Sequence, residues 1–147
     1  MQLKTRIQDD MKAAMRAADK ERLATIRLIL AAIKQREVDE RIQLDDAQVL
    51  AVLEKMVKQR RESIAQFQSG GRADLVAREN AELAVLAHYL PEQLSEQELE
   101  QLVSETISAT GAASIKEMGK VMNALKPRVQ GRADMGALGA RIKARLA

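Results

Sequence analysis

Ser114–Asp134, SIKEMGKVMNALKPRVQGRAD, holds a helix start, a glycine inside a helix, a helix stop and a second glycine. Ser114 and Glu117 stand three residues apart before an apolar run, the spacing of a capping box. In that motif a hydroxyl and a carboxylate satisfy the backbone amides that a helix start leaves unpaired. Ile115, Met118, Val121, Met122 and Leu125 recur at helical spacing and predict one buried stripe. Pro127 disfavours helical geometry at Lys126, which predicts the end of the helix there. Gly131 can take the positive φ of a tight connection, and Asp134 can cap the next helix.

This pattern leaves Lys116, Gly119, Lys120, Lys126, Arg128 and Arg132 on the surface. A glycine inside a helix costs roughly 1 kcal/mol relative to alanine, so Gly119 calls for a reason. Two stay open: close helix packing, or a bare backbone beside Lys120 that lets a phosphate come near.

Beyond this segment the chain continues the helical theme. Of its 147 residues 46% are hydrophobic and 31% charged, the balance of a folded soluble protein. Phe67 and Tyr89 are the only aromatics, so the core must come from Leu, Ile, Val, Met and Ala, which favours helices over strands. Leu3, Ile7, Met11 and Met15 predict a first helix ending near Ala18 or Asp19. Leu23, Ile26, Leu30 and Ile33 predict a second that stops near Asp39–Arg41. A third begins at the cap Asp45, runs through Val49, Leu53, Met56, Val57, Ile64 and Phe67, and ends at Ser69-Gly70-Gly71. It bears Lys55, Lys58, Arg60 and Arg61, a weak candidate binding strip or simply a solvated face.

A fourth helix is predicted from about Asp74 to His88, with Leu75, Val76, Leu83 and Leu86 inward and a stop at Tyr89-Leu90-Pro91. Ser95 and Glu98 form a second capping-box pattern, opening a helix that ends at Thr110-Gly111. The Ser114 helix follows, and then a last one from Asp134 through Leu138, Ile142 and Leu146. The expected architecture is all-α: an N-terminal four-helix bundle over 1–92, then a small three-helix C-terminal domain over 95–147.

Charge is unevenly distributed. The chain is +3 in total, but residues 95–114 carry a net −4 and residues 115–147 a net +6. A basic final third suggests an anionic partner, against the plainer reading of a solvated helical surface.

Catalytic constellations are missing. There is no cysteine for thiolate chemistry or sulfur ligation, and the single histidine, His88, suits a helix C-terminus better than a metal site. Gly70-Gly71 follows a helix and lacks the lysine and hydroxyl of a phosphate-binding loop. Carboxylates sit beside Lys and Arg rather than paired in apolar surroundings. No catalytic residue, metal or cofactor is therefore assigned. No apolar run approaches bilayer length, so no membrane partner is expected. The N-terminus MQLKTRIQDD lacks the apolar segment of a secretory signal, and the absence of cysteine fits a reducing cytosol. A cytoplasmic location is expected.

Nucleic acid fits this inventory with one restriction. Base stacking needs aromatics, so binding would run through Lys and Arg to the phosphates of a folded RNA. The candidate residues are Lys116, Gly119, Lys120, Lys126, Arg128, Gly131 and Arg132.

Four ordered segments carry a family resemblance: ERLATIRLILAAIKQREVDER, KQRRESIAQFQSGGRADL, ELAVLAHYLPEQLS and MGKVMNALKPRVQGRAD. Over nearly its whole length the chain resembles the GatB/YqeY family, in particular its small stand-alone YqeY-like proteins. The resemblance implies a helical bundle followed by a three-helix domain. It further implies kinship with the tail of the B subunit of glutamine-dependent tRNA amidotransferases. There the tail looks like a tRNA-holding element, while amide transfer (carbon–nitrogen ligation with glutamine as amide donor) belongs to other domains. Similar modules extend some glutaminyl-tRNA synthetases. Gly119, Lys120, Val121 and Met122 match the tail's GKVM-type element, and Gly131, Arg132, Ala133 and Asp134 its glycine-containing turn. Lys120, Lys126 and Arg132 would then touch phosphates. The implied partners are tRNA or another structured RNA, and an aminoacyl-tRNA amidotransferase or synthetase. The alternative is a helical protein-interaction module docking on another subunit, with the Met-rich stripe of the first helix as its feature.

Overall fold

With Phe67 and Tyr89 the only aromatics, aliphatic side chains on amphipathic helices make up the interior. The computed structural model describes residues 2–147. Among them are seven α-helices, one 3₁₀ turn and no strand. The α-helices are α1 (Leu3–Arg16), α2 (Lys20–Glu40), α3 (Asp46–Ser69), α4 (Ala73–Ala87), α5 (Glu96–Thr110), α6 (Met118–Val129) and α7 (Met135–Leu146). The 3₁₀ turn, Ile115–Glu117, leads directly into α6. The protein is all-α.

Contacts divide the chain between Leu90 and Pro91 into two compact units, each with its own core. The first closes around Ile7 of α1, Ile26, Ile29 and Ile33 of α2, Val49 and Leu53 of α3, and Leu86 of α4. The only tyrosine joins it: buried Tyr89 donates its hydroxyl to Asp10 at 2.6 Å, and its burial together with Asp10 pushes the phenol above its ordinary pKa. The second unit closes around Val103 of α5, Val121, Leu125 and Val129 of α6, and Leu138 and Ile142 of α7.

Helix ends follow the sequence where a side chain can reach the backbone. Asp45 and Gln48 form a capping box at α3, and Ser95 and Glu98 another at α5. Asp134 accepts from the Gly136 amide at 3.1 Å and starts α7. Arg41 ends α2 in the left-handed conformation at φ 55°.

Four expectations are corrected. Met15 is 51% exposed, and Ala14 takes the buried place. Steps of four residues drift about 40° each around a helix, so a run from Leu3 to Met15 rotates out of the core. The Ser114–Glu117 capping box does not form: Ser114 caps no amide, and Glu117 instead accepts from the Ala113 amide at 3.3 Å. Ile115, in the 3₁₀ turn, is 44% exposed rather than part of the stripe. Finally, Pro127 lies inside α6, which continues to Val129. The fully buried Val129 stands one turn beyond Leu125 on the core face, so apolar burial holds the last turn helical despite the lost amide.

Candidate nucleic-acid interface

The basic final third is built largely on α6 and α7, and the structure separates its cations into two groups. Arg141 and Arg145 of α7 turn onto acidic α5. Arg141 Nη1 donates to Glu100 at 2.6 Å, and its other terminal nitrogen pairs with Glu96. Arg145 pairs with the same Glu100 and donates to Ser104 at 2.7 Å. Hydrogen bonds from Arg141 and Arg145 hold the Glu100 carboxyl below the usual range. The bonds that Arg141 donates to Glu100 and Glu96 raise its guanidinium in turn. Part of the sequence asymmetry is thus neutralised inside the unit.

Gly131 and Arg132 have a local structural task. Gly131 takes φ 76°, where an L side chain would be strained, and it is buried. Its carbonyl accepts from Gln93 Nε2 at 2.6 Å. The Arg132 carbonyl accepts from the Leu94 amide at 2.9 Å, while Arg132 Nε donates to the Glu92 carbonyl at 2.9 Å. This turn clasps residues 92–94. Gly131 therefore does not offer an open backbone surface, and Arg132 is only half-exposed.

Lys116, Gly119, Lys120, Lys126 and Arg128 are all exposed. Among the described residues, no ion pair engages these four cations. Gly119 sits beside Lys120 in the first turn of α6, and a Cβ built there meets no atom within 4 Å. Close helix packing is not the reason for this glycine. At about 100° per residue, Lys126 lies about 120° from Lys120 one way around α6 and Arg128 about 80° the other way. Gly119 and Lys126 share a side, with exposed Asn123 between Lys120 and Lys126. The arrangement is a strip, Gly119–Lys120–Asn123–Lys126, with Lys116 just before it and Arg128 beside Lys120 at its other edge. Asn123 carries no charge, so a reading by charge alone passes over it. Its spacing of three from both lysines was the available signal.

In the first unit, Arg60 is tied to α4, with Nε 2.6 Å from Glu82 and 3.4 Å from Glu79. Lys55, Lys58 and Arg61 remain exposed. His88 caps the C-terminus of α4, with its Nε2 3.2 Å from Arg6 Nη2. Among the described residues, no helix is long and apolar enough to cross a membrane.

An all-α chain with two separate cores and a lysine strip on its second unit defines a class of small helical proteins. The chain belongs to the Yqey-like protein family, whose profile matches residues 4–146. Curated relatives bear the name "Altered inheritance of mitochondria protein 41, mitochondrial". The protein of Eremothecium gossypii is 41% identical over 85 residues, covering 57% of this chain and 46% of the relative. That of Lachancea thermotolerans is 35% identical over 105 residues, covering 69% and 56%. That of Pyrenophora tritici-repentis is 34% identical over 128 residues, covering 84% and 71%. The chain spans about half the length of the first two. These names overturn the expected cytoplasmic location, because the similar proteins are mitochondrial ones. Neither the absence of cysteine nor the lack of a secretory signal singles out the cytoplasm.

Proposed function

We propose that this chain is an accessory RNA-binding module. In this reading a four-helix bundle over 1–92 carries a three-helix domain over 95–147. The second part holds the backbone of a structured RNA of the tRNA class. Lys116, Lys120, Lys126 and Arg128 contact phosphates, and Gly119 lets one approach the α6 backbone. Arg132 and Gly131 shape the neighbouring turn. The observation that carries the reading is the state of the cations: Arg141 and Arg145 are paired with carboxylates, whereas the α6 side chains reach solvent without one. Such side chains give up little on meeting a phosphate, and each contact releases condensed counterions. The resemblance to the tRNA-holding tail of the amidotransferase B subunit supports the same choice of ligand, with an amidotransferase or a synthetase as the protein context. Amide transfer itself would stay with other subunits.

The test is titration of a folded tRNA transcript against the wild type and Lys120→Ala/Lys126→Ala. Both lysines are exposed, so the melting temperature should not move. Affinity should fall by about tenfold or more, as expected for two lost phosphate contacts. Retained affinity with retained fold removes the proposal.

A further inference from the structure

α2 presents outward a ridge that neither its core packing nor the lysine strip uses. Ala24, Leu28, Ala31, Gln35 and Val38 follow one another at steps of four, three, four and three residues. That is the 3.5-residue rhythm of a coiled-coil seam. Five large apolar side chains are exposed among the described residues, and two stand on this ridge: Leu28 at 45% and Val38 at 59%. The opposite face of the same helix already fills the core with Ile26, Ile29 and Ile33. α2 thus has an apolar stripe on each side, only one of them covered, where a surface helix ordinarily has one. The exposed alanines at 24 and 31 leave hollows beside Leu28 and Val38 that can receive a neighbour's side chains.

The flanks say what kind of helix fits. Arg27 and Lys34 immediately precede Leu28 and Gln35, so one edge of the ridge carries two cations seven residues apart. Lys34 has Glu37 nearby, and Glu37 is itself held by Lys4 at 2.9 Å. Among the described residues no ion pair engages Arg27 or Lys34. The other edge, Thr25, Ala32 and Asp39, carries a single charge. An antiparallel second copy would set the basic row against itself, which like charges oppose. A helix with carboxylates along its edge would complement it. Gln35, the polar residue in the middle of the seam, would fix the register.

We propose that this ridge docks an amphipathic helix of another protein, one with a small-and-large apolar seam and Asp or Glu along its flank. The probe is a pair of fluorescently labelled 28-residue synthetic helices with Leu and Ala alternating at the seam. One carries Glu and the other Lys at all flanking positions. Anisotropy should show binding of the Glu helix, at least tenfold tighter than the Lys helix. Leu28→Gln/Val38→Gln should weaken it at least tenfold while leaving the melting temperature unchanged, since both positions are exposed. Equal affinity for the two helices overturns the proposal, as does binding of neither. Sedimentation showing a wild-type dimer that the double variant dissolves would assign the ridge to a second copy and overturn it too. A loss of tRNA affinity in this variant would give the ridge to RNA with the same result. The lysine strip is intact in the variant, so failure here is distinguishable from failure of the RNA reading.

Discussion

Gly119 is the residue at which the two readings of the sequence part. Open space around its Cβ position removes packing as its purpose, and it sits on a helix where alanine would be intrinsically better. Gly119→Ala should therefore stabilise the protein by up to about 1 kcal/mol, read as a higher melting temperature. If the bare backbone serves phosphate approach, the same substitution weakens tRNA binding. A gain in stability with unchanged affinity would leave the glycine without a role in binding. Gly131 was legible from sequence as a positive-φ turn, and it is one, at 76°. What sequence could not show was that the turn is buried and holds residues 92–94 through its carbonyls. That depends on a segment about forty positions away. Arg132 is spent in the same contact, and its charge alone gave no sign of this.

At the scale of elements, periodicity and caps located the helices, and each departure has its own local cause. Ser95–Glu98 and Asp45–Gln48 close as boxes, yet Ser114–Glu117 does not, although its spacing is the same. Glu117 there turns back to the Ala113 amide, and a 3₁₀ turn occupies the place of the first α-helical turn. Pro127 marks a stop by local sterics, but Val129 is needed in the core. Val129→Ala should cost about 2 kcal/mol in denaturant unfolding, and a loss near zero would mean that the last turn of α6 contributes no burial. The α5–α7 contact predicts a pH dependence. Glu100 is held below its ordinary 4.5 by Arg141 and Arg145, so its contribution is present above that value. It is lost as pH falls through the lowered folded value. Melting temperature should decline on acidification below about 4.5, and Glu100→Gln should flatten that decline. An identical acid slope in the variant would show that the ion pairs of Glu100 with Arg141 and Arg145 do not stabilise the unit. Exposure and salt screening keep the effect modest.

For the molecule as a whole, the sequence gradient from −4 to +6 overstated the free positive charge, because arginines on α7 neutralise glutamates on α5. Linear charge counts miss pairing between segments some forty residues apart. The all-α class was readable because an aromatic-poor chain with helical periodicity has few other ways to bury its side chains. The outward ridge of α2 was not read, since apolar residues on a helix are ordinarily assigned to its core face. In the proposed function, exposed cations of the second unit meet the phosphates of a structured RNA. The measurement that tests it most directly is the salt dependence of tRNA affinity. With Lys116, Lys120, Lys126 and Arg128 in contact, log affinity should fall against log salt with a slope of about −3 to −4, and Lys120→Ala/Lys126→Ala should reduce that slope by about 2. A wild-type slope near zero, or one the substitutions leave unchanged, would contradict it.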